Sequence, residues 1–261
     1  MKTTVLLPDN FTDYLLIDNA EQRFSEARMV AEKIQAAGVP LMRNLDHAAI
    51  FCDPPRLVSG PLKAIGYVKG WDMRCYPSPV DECDYINISA RLDRQTVAWQ
   101  QGWFEYVAIV HPVDQEAHDN MMGQGYGNPC IHHLTWGIVP PERRTEEDDL
   151  DYANRLIPFM IDVRQRIGAA ISDDPGTLIV ALPPHVVADP GFDQVCSQWF
   201  ANLPSADYQV ESMQGGGFLV QFFVLTGGRI EVALRSNTQQ TFNPKSVHKI
   251  SEDEISTTQD E

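Results

Sequence analysis

Basic side chains, long apolar runs and closely paired cysteines are scarce in this sequence, and each scarcity argues against a class of protein. Lysine and arginine number 20 against 36 aspartates and glutamates, which gives a formal net charge of −16. An electric field of that sign repels nucleic-acid phosphates and anionic lipid headgroups. We therefore expect neither a nucleic acid nor a membrane among the partners of this chain.

The apolar runs are all too short to cross a bilayer. The first eight residues end in Pro8 and are followed by Asp9, so they do not resemble a secretory signal. The cysteines are odd in number and widely spaced, and they form no CxxC pair, which argues against a disulfide framework. Reduced thiols and the lack of a signal predict a soluble, cytoplasmic protein. The cysteines are Cys52, Cys75, Cys83, Cys130 and Cys196.

The two ends of the chain differ from its middle. Residues 1–43 are predicted to be a helical extension, because apolar side chains recur at helical spacing from Ala20 to Ile34, and Gly38 with Pro40 ends the pattern. Residues 237–261 are polar and acidic, and this composition predicts a disordered tail.

Strand patterns dominate between these segments and predict an α+β fold. Residues 44–119 give the order β-α-β-β-β, with strands at 45–52, 71–76, 84–92 and 103–111 and a helix at 56–65. Residues 120–236 begin with a loop at 120–129. Strands are then predicted at 130–139, 177–182, 208–213, 217–225 and 229–236. Helices are predicted at 150–168 and from Asp189-Pro190, with Asp189 as the N-cap and Pro190 as the first helical residue. Two βαβββ modules, 44–119 and 120–236, are therefore expected.

Four polar residues interrupt the apolar strands at comparable places. His47 and His133 each follow an aliphatic residue by two positions at a strand opening, and Glu105 and Glu231 each lie within a later strand. Side chains alternate between the two faces of a strand, so each of these residues points away from its neighbours. Two imidazoles and two carboxylates aimed at one place would bind a divalent metal. His132 alternates with His133, so only one of the pair is expected to point inward, and the alignment with His47 selects His133.

The pattern resembles the vicinal oxygen chelate superfamily, which includes glyoxalase I, extradiol dioxygenases and several isomerases and lyases. The resemblance covers roughly residues 44–236 and implies a glyoxalase-like fold, in which two βαβββ modules form curled mixed sheets around a metal. It also implies the ligand positions, a histidine on the first strand and a glutamate on the last strand of each module. His47, Glu105, His133 and Glu231 match those positions.

The phrase Ile131-His132-His133-Leu134-Thr135 also resembles a histidine strand of the 2-oxoadipate dioxygenase/decarboxylase family, whose metal centre has two histidines and one glutamate around iron. The stretch from His133 to Glu231 is much longer than that from His47 to Glu105, so the second module should contain an insertion. In an alternative register, the second module begins at Thr177 and has no histidine on its first strand.

The resemblance predicts a metal-dependent lyase or isomerase that acts on a small oxygen-chelating metabolite and stabilises an enediolate-like oxyanion. Glu105 would be a fourth ligand or the catalytic general base. The ligand types suit Fe, Zn, Ni, Co or Mn equally. One alternative is an Fe(II) dioxygenase with two histidines and one carboxylate, and another is a non-catalytic protein that binds or sequesters a small molecule. A small-molecule substrate is the expected partner, with a homodimer as a possible assembly.

Overall fold

The computed structural model describes residues 17, 20–64, 67–75, 85–92, 106–123, 127–172, 175–212, 217–224 and 230–236. Within those residues there are six helices. They are α1 (Ala20–Ala36), α2 (Arg56–Ala64), α3 (Gln115–Gly123), α4 (Asp149–Ile171), α5 (Pro184–Val187) and α6 (Phe192–Trp199).

The same part of the chain contains nine strands. They are β1 (Leu41–Phe51), β2 (Tyr67–Cys75), β3 (Tyr85–Leu92), β4 (Tyr106–Pro112), β5 (Cys130–Ile138), β6 (Leu178–Leu182), β7 (Tyr208–Ser212), β8 (Phe218–Val224) and β9 (Ile230–Ser236). Helices and a mixed sheet, with both parallel and antiparallel pairs, confirm the α+β class predicted from the sequence and are consistent with a glyoxalase-like fold.

The described residues form two compact units. Residues 20–24 and 46–134 belong to one, and residues 25–45 and 135–236 belong to the other. Both β1 and β5 continue through a boundary between the units, so each of these strands contributes residues to both. The boundaries expected at 43/44 and 119/120 stay predictions.

The unit that contains residues 46–134 has the strand order β2-β3-β4-β1-β5. The pairs β2–β3 and β3–β4 are antiparallel, whereas β1 runs parallel to β4 with His47 opposite Tyr106. A parallel pair needs a crossover connection, and here the segment with α2, β2 and β3 supplies it. The first and last strands of this βαβββ arrangement are therefore neighbours.

The unit that contains residues 135–236 has the order β5-β9-β8-β6-β7. Read from β6 inwards, its strands follow the order β6-β8-β9-β5, which matches the order β2-β3-β4-β1 of the other unit. The helix α4 lies between β5 and β6 in the sequence, as α2 lies between β1 and β2. The two series therefore repeat one βαβββ arrangement. The segment with α5, α6 and β7 is additional, and β7 pairs in parallel with the outer side of β6. This segment is the insertion expected between His133 and Glu231. In the alternative register, which begins at Thr177, β6 would be the first strand of the module and should lie next to the last strand, β9. The observed order places β8 between them, so this register does not fit.

Two local predictions were wrong. The loop expected over 120–129 is helical as far as Gly123, because α3 begins at Gln115. Its first turn is capped by Asp114, whose Oδ1 accepts the backbone N–H of Ala117 at 2.9 Å. Asp189 is not the N-cap of α6, since its Oδ1 accepts the N–H of Gly191 at 2.8 Å in the turn before the helix. The expected acidic tail lies outside the described residues.

Buried thiols belong to the apolar core. Cys130 packs in a cluster with Phe51, Val110 and Met121. Burial raises the pKa of both Cys52 and Cys130 to about 12, so these thiols stay protonated at neutral pH. No disulfide forms among the described cysteines, and none of the described helices has the length and apolarity needed to span a membrane.

Candidate metal centre

Three of the four predicted ligand residues lie together. His47 on β1 is 4% exposed, His133 on β5 is 7% exposed and Glu231 on β9 is 3% exposed. One nitrogen or oxygen atom of each side chain lies within 4.8 Å of those of the other two. The fourth residue, Glu105, falls outside the described residues. Within the described part of the chain, this is the one group of three or more histidine, cysteine or acidic side chains that meets this spacing.

The imidazole of His47 is fixed by its neighbour in sequence. Its Nδ1 lies 2.8 Å from Oδ2 of Asp46, whose side chain is partly exposed. The ring meets that of His133 edge to face, with 5.5 Å between the ring centroids and 79° between the planes. Asp46 therefore sets the orientation of His47 and engages the nitrogen that is nearer to the backbone.

A residue of β5 holds the carboxylate of Glu231 in place. Thr135 Oγ1 donates a hydrogen bond to Glu231 Oε2 at 2.6 Å, and both side chains are buried. Thr135 is two residues after His133 on the same strand, so the two side chains leave the same face of β5. A single strand thus carries one candidate ligand and the residue that orients another.

His132 has a role that the sequence interpretation missed. It is 1% exposed, and its Nδ1 lies 2.7 Å from Nδ1 of His133. Strand alternation predicted that only one histidine of this pair points inward. Every residue of β5 is buried, however, so both histidines lie in the interior. The doubled histidine in a strand that is otherwise mostly apolar is the sequence signal that could have indicated this contact.

The donor set suits a divalent transition metal. Imidazole nitrogens and one carboxylate oxygen are ligands that Fe, Zn, Ni, Co and Mn accept. A buried carboxylate is costly unless it is paired or coordinates a metal. The negative charges of Asp46 and Glu231 together match the charge of one divalent cation. Residues and charge therefore both fit such an ion.

A second polar cluster lies at the ends of β1 and β4. Asp53 Oδ1 is 3.5 Å from Nδ1 of His111, and Asp53 Oδ2 is 3.9 Å from Nε2 of His118 on α3. Nδ1 of His111 is buried and has no hydrogen-bond partner. Burial lowers the pKa of His111, and the Asp53 carboxylate opposes part of that effect.

Comparisons with known proteins give a distant structural likeness. No family model matches the chain, and no curated protein matches it. Among solved structures, 56 chains match. One of them is a xylose isomerase-like TIM barrel/4-hydroxyphenylpyruvate dioxygenase fusion protein, with a TM-score of 0.39 and 12% sequence identity. The match covers 84% of this chain and 30% of that one, so this chain spans about a third of its length.

Proposed function

We propose that this chain is a mononuclear metal enzyme in which His47, His133 and Glu231 bind one divalent cation. The observation that carries the proposal is the convergence of their three ligand atoms to within 4.8 Å in a buried place. Two histidines and one carboxylate form the ligand set of non-haem Fe(II) oxygenases.

The neighbours of these residues support the assignment. Histidines that bind metals almost always give their second ring nitrogen to a carboxylate, a carbonyl group or water. Asp46 engages Nδ1 of His47, and His132 engages Nδ1 of His133, so Nε2 is the coordinating nitrogen in both. Thr135 holds Oε2 of Glu231, which directs Oε1 to the cation.

The substrate we propose is a small molecule with two adjacent oxygen atoms. A bound cation supplies Lewis-acid polarisation of those oxygens or, as iron, activation of dioxygen. The chain itself holds the ligands away from bulk water, since His47, His133 and Glu231 are each 7% exposed or less. Of the reaction classes, we favour an Fe(II) oxygenase, because its ligand set is complete in His47, His133 and Glu231.

A lyase or isomerase that uses Glu105 is the second candidate. Glu105 directly precedes Tyr106, and Tyr106 is the residue of β4 that pairs with His47. The resemblance to the vicinal oxygen chelate superfamily assigns Glu105 to the fourth ligand position, where it would bind the cation or act as the general base. The two candidates differ in how much they need this residue.

Metal content tests the centre directly. Plasma mass spectrometry would be run on untagged wild type, His47→Ala and Glu231→Ala, after incubation with Fe(II), Zn, Mn, Ni and Co salts and gel filtration. We expect near-stoichiometric metal in wild type and little in either variant. His185→Ala is the matched control, because the His185 side chain is 64% exposed and should leave the metal content unchanged. Wild type without metal after every incubation would overturn the proposal.

Oxygen consumption separates the two reaction classes. The Fe(II)-loaded protein would be mixed with a panel of 2-oxo acids, 2-hydroxy acids and catechols while dissolved oxygen is recorded. An oxygenase consumes oxygen with at least one substrate, and Glu105→Gln retains that activity. A lyase or isomerase converts a substrate without oxygen uptake and loses activity in Glu105→Gln.

A further inference from the structure

Thr135 presents a hydroxyl group where packing alone calls for an apolar side chain. It is 0% exposed, as are its neighbours Leu134 and Trp136 on β5. Valine has nearly the same shape and a high preference for strands. A buried hydroxyl is costly unless it forms a hydrogen bond, and the one that Thr135 donates goes to Glu231. The hydrogen bond to Glu231 therefore accounts for a threonine at this position in place of a valine.

The hydrogen bond joins a neutral donor to a carboxylate. Its O···O distance of 2.6 Å is within the range of about 2.5–2.7 Å that is typical of charge-assisted O–H···O⁻ bonds. Such a bond fixes the rotation of the carboxylate and withdraws negative charge from Oε2. Carboxylates bind cations through one oxygen or through both, and a strongly bonded Oε2 disfavours the second mode.

We propose that Thr135 is a positioning residue that restricts Glu231 to coordination through one oxygen, and thereby reserves a coordination position for the substrate. This inference rests on the proposed metal centre. A substrate that chelates through two adjacent oxygens needs two positions next to each other on the cation. If Glu231 bound through both of its oxygens, the second oxygen would occupy one of these two coordination positions. The Thr135 hydroxyl thus determines whether a bidentate ligand can bind, without touching that ligand itself.

Cobalt(II) and oxalate provide the test. Cobalt(II) reports its coordination number through its visible absorption, which weakens as ligands are added, and oxalate is a small chelator with adjacent oxygens. Loss of a residue that supports a ligand typically weakens metal binding about 10–100-fold, and we expect a loss of that size in Thr135→Val. The visible band of its cobalt form should weaken, and oxalate should bind that form at least several-fold less tightly than it binds cobalt-loaded wild type.

Two further variants isolate the hydroxyl. Thr135→Ser keeps the donor and should restore the wild-type spectrum and oxalate affinity. Thr135→Ala and Thr135→Ser both lack the methyl group of threonine, but only Thr135→Ala also lacks the hydroxyl donor. Thr135→Ala should therefore resemble Thr135→Val. The serine–alanine pair decides the question even if the valine variant does not fold. Thr177→Val is the control for the loss of a threonine hydroxyl, because Thr177 Oγ1 donates its hydrogen bond to the backbone carbonyl of Ala206 and not to a candidate ligand.

The outcomes separate the two proposals. Wild type that binds cobalt, with serine and alanine variants that share one spectrum and one oxalate affinity, would overturn the role of Thr135 and leave the metal centre standing. Wild type that binds no cobalt would overturn the metal centre and this inference together. A change in melting temperature of the metal-free variants without a change in the spectrum would identify Thr135 as a packing residue only, and would also overturn the inference.

Discussion

Nδ1 of His132 lies 2.7 Å from Nδ1 of His133, although the two residues are consecutive on β5. Two ring nitrogens at this distance share one hydrogen, so one donates and the other accepts. A histidine that coordinates through Nε2 carries its hydrogen on Nδ1. If His133 binds the proposed metal through Nε2, His133 is therefore the donor and His132 the acceptor.

Removal of the acceptor at position 132 should weaken metal binding. We expect His132→Leu to lower the affinity for Zn(II) by about 10–100-fold, the usual cost of losing a partner of a ligand. His132→Gln can accept the same hydrogen through its amide oxygen and should lose less. Competition with a chromogenic chelator measures both affinities. Equal affinities in His132→Leu and wild type would contradict the assigned hydrogen bond.

Gly137 provides space for Met42. A Cβ atom at Gly137 would lie 2.7 Å from Sδ of Met42, closer than real Cβ contacts allow. Overpacking in a core costs about 1–3 kcal/mol, and we expect Gly137→Ala to destabilise the protein by no more than the lower end of that range, because the flexible, half-buried side chain of Met42 can shift. Because contacting residues couple, the double variant Gly137→Ala with Met42→Ala should lose less stability than the sum of the single variants. Urea unfolding of the four proteins gives the coupling, and strict additivity would contradict the contact.

Glu147 and Arg155 should stabilise the protein at neutral pH and lose that effect in acid. Arg155 Nε donates to Glu147 Oε1 at 2.5 Å, and a second guanidinium nitrogen donates to Oε2 at 2.6 Å. The Arg155 hydrogen bonds lower the pKa of Glu147 from 4.5 to about 2. The unfolded chain takes up this proton at higher pH than the folded chain, so the stabilisation is full above about 4.5 and disappears as the pH falls towards 2.

The matching experiment is thermal unfolding of Glu147→Gln and wild type from pH 7 to pH 2.5. The variant should melt at a lower temperature at pH 7, and the difference should shrink as the solution is acidified. Glu146→Gln, which changes an exposed neighbour, should follow wild type. A difference that stays constant across the whole range would contradict the pKa assignment.

His111 should make the protein less stable in mildly acidic solution. Burial lowers its pKa in the folded state, with the Asp53 carboxylate in partial opposition, whereas an unfolded histidine is protonated near pH 6.5. Below about 6.5 the unfolded chain holds more protons, so stability falls with pH until the folded pKa is reached. In His111→Gln the decrease in melting temperature between pH 7.5 and pH 5.5 should be smaller than in wild type. An equal decrease would show that other groups cause it.

The strands that carry His47, His133 and Glu231 could be predicted because each contains an apolar run that a polar residue interrupts at a matching place. Strand periodicity is local, and it predicted β1, β5 and β9 within a few residues. The helix α3 was missed because Gly123 and the two preceding methionines resemble a loop in composition. Its start depends on one capping contact, between Asp114 and Ala117.

The contacts of the centre with its supporting residues could not be predicted. The bond from Thr135 to Glu231 joins residues 96 positions apart, and sequence spacing gives no measure of such a distance. His132 was assigned to the opposite face because alternation treats one side of a strand as exposed. That assumption fails for a strand that pairs on both edges and is buried on both faces. β5 is such a strand, since it lies between β1 and β9 and is buried along its whole length.

The position of β7 has a consequence for the behaviour of this protein in concentrated solution. Leu178, Val180 and Leu182 make β6 an apolar strand, and its outer backbone groups would be open to pairing with another molecule if the inserted segment were missing. β7 occupies that edge with a short strand whose Gln209, Glu211 and Ser212 side chains are exposed. Short, polar edge strands discourage the growth of sheets between molecules. The insertion thus protects the chain from aggregation along the side of the sheet farthest from β5.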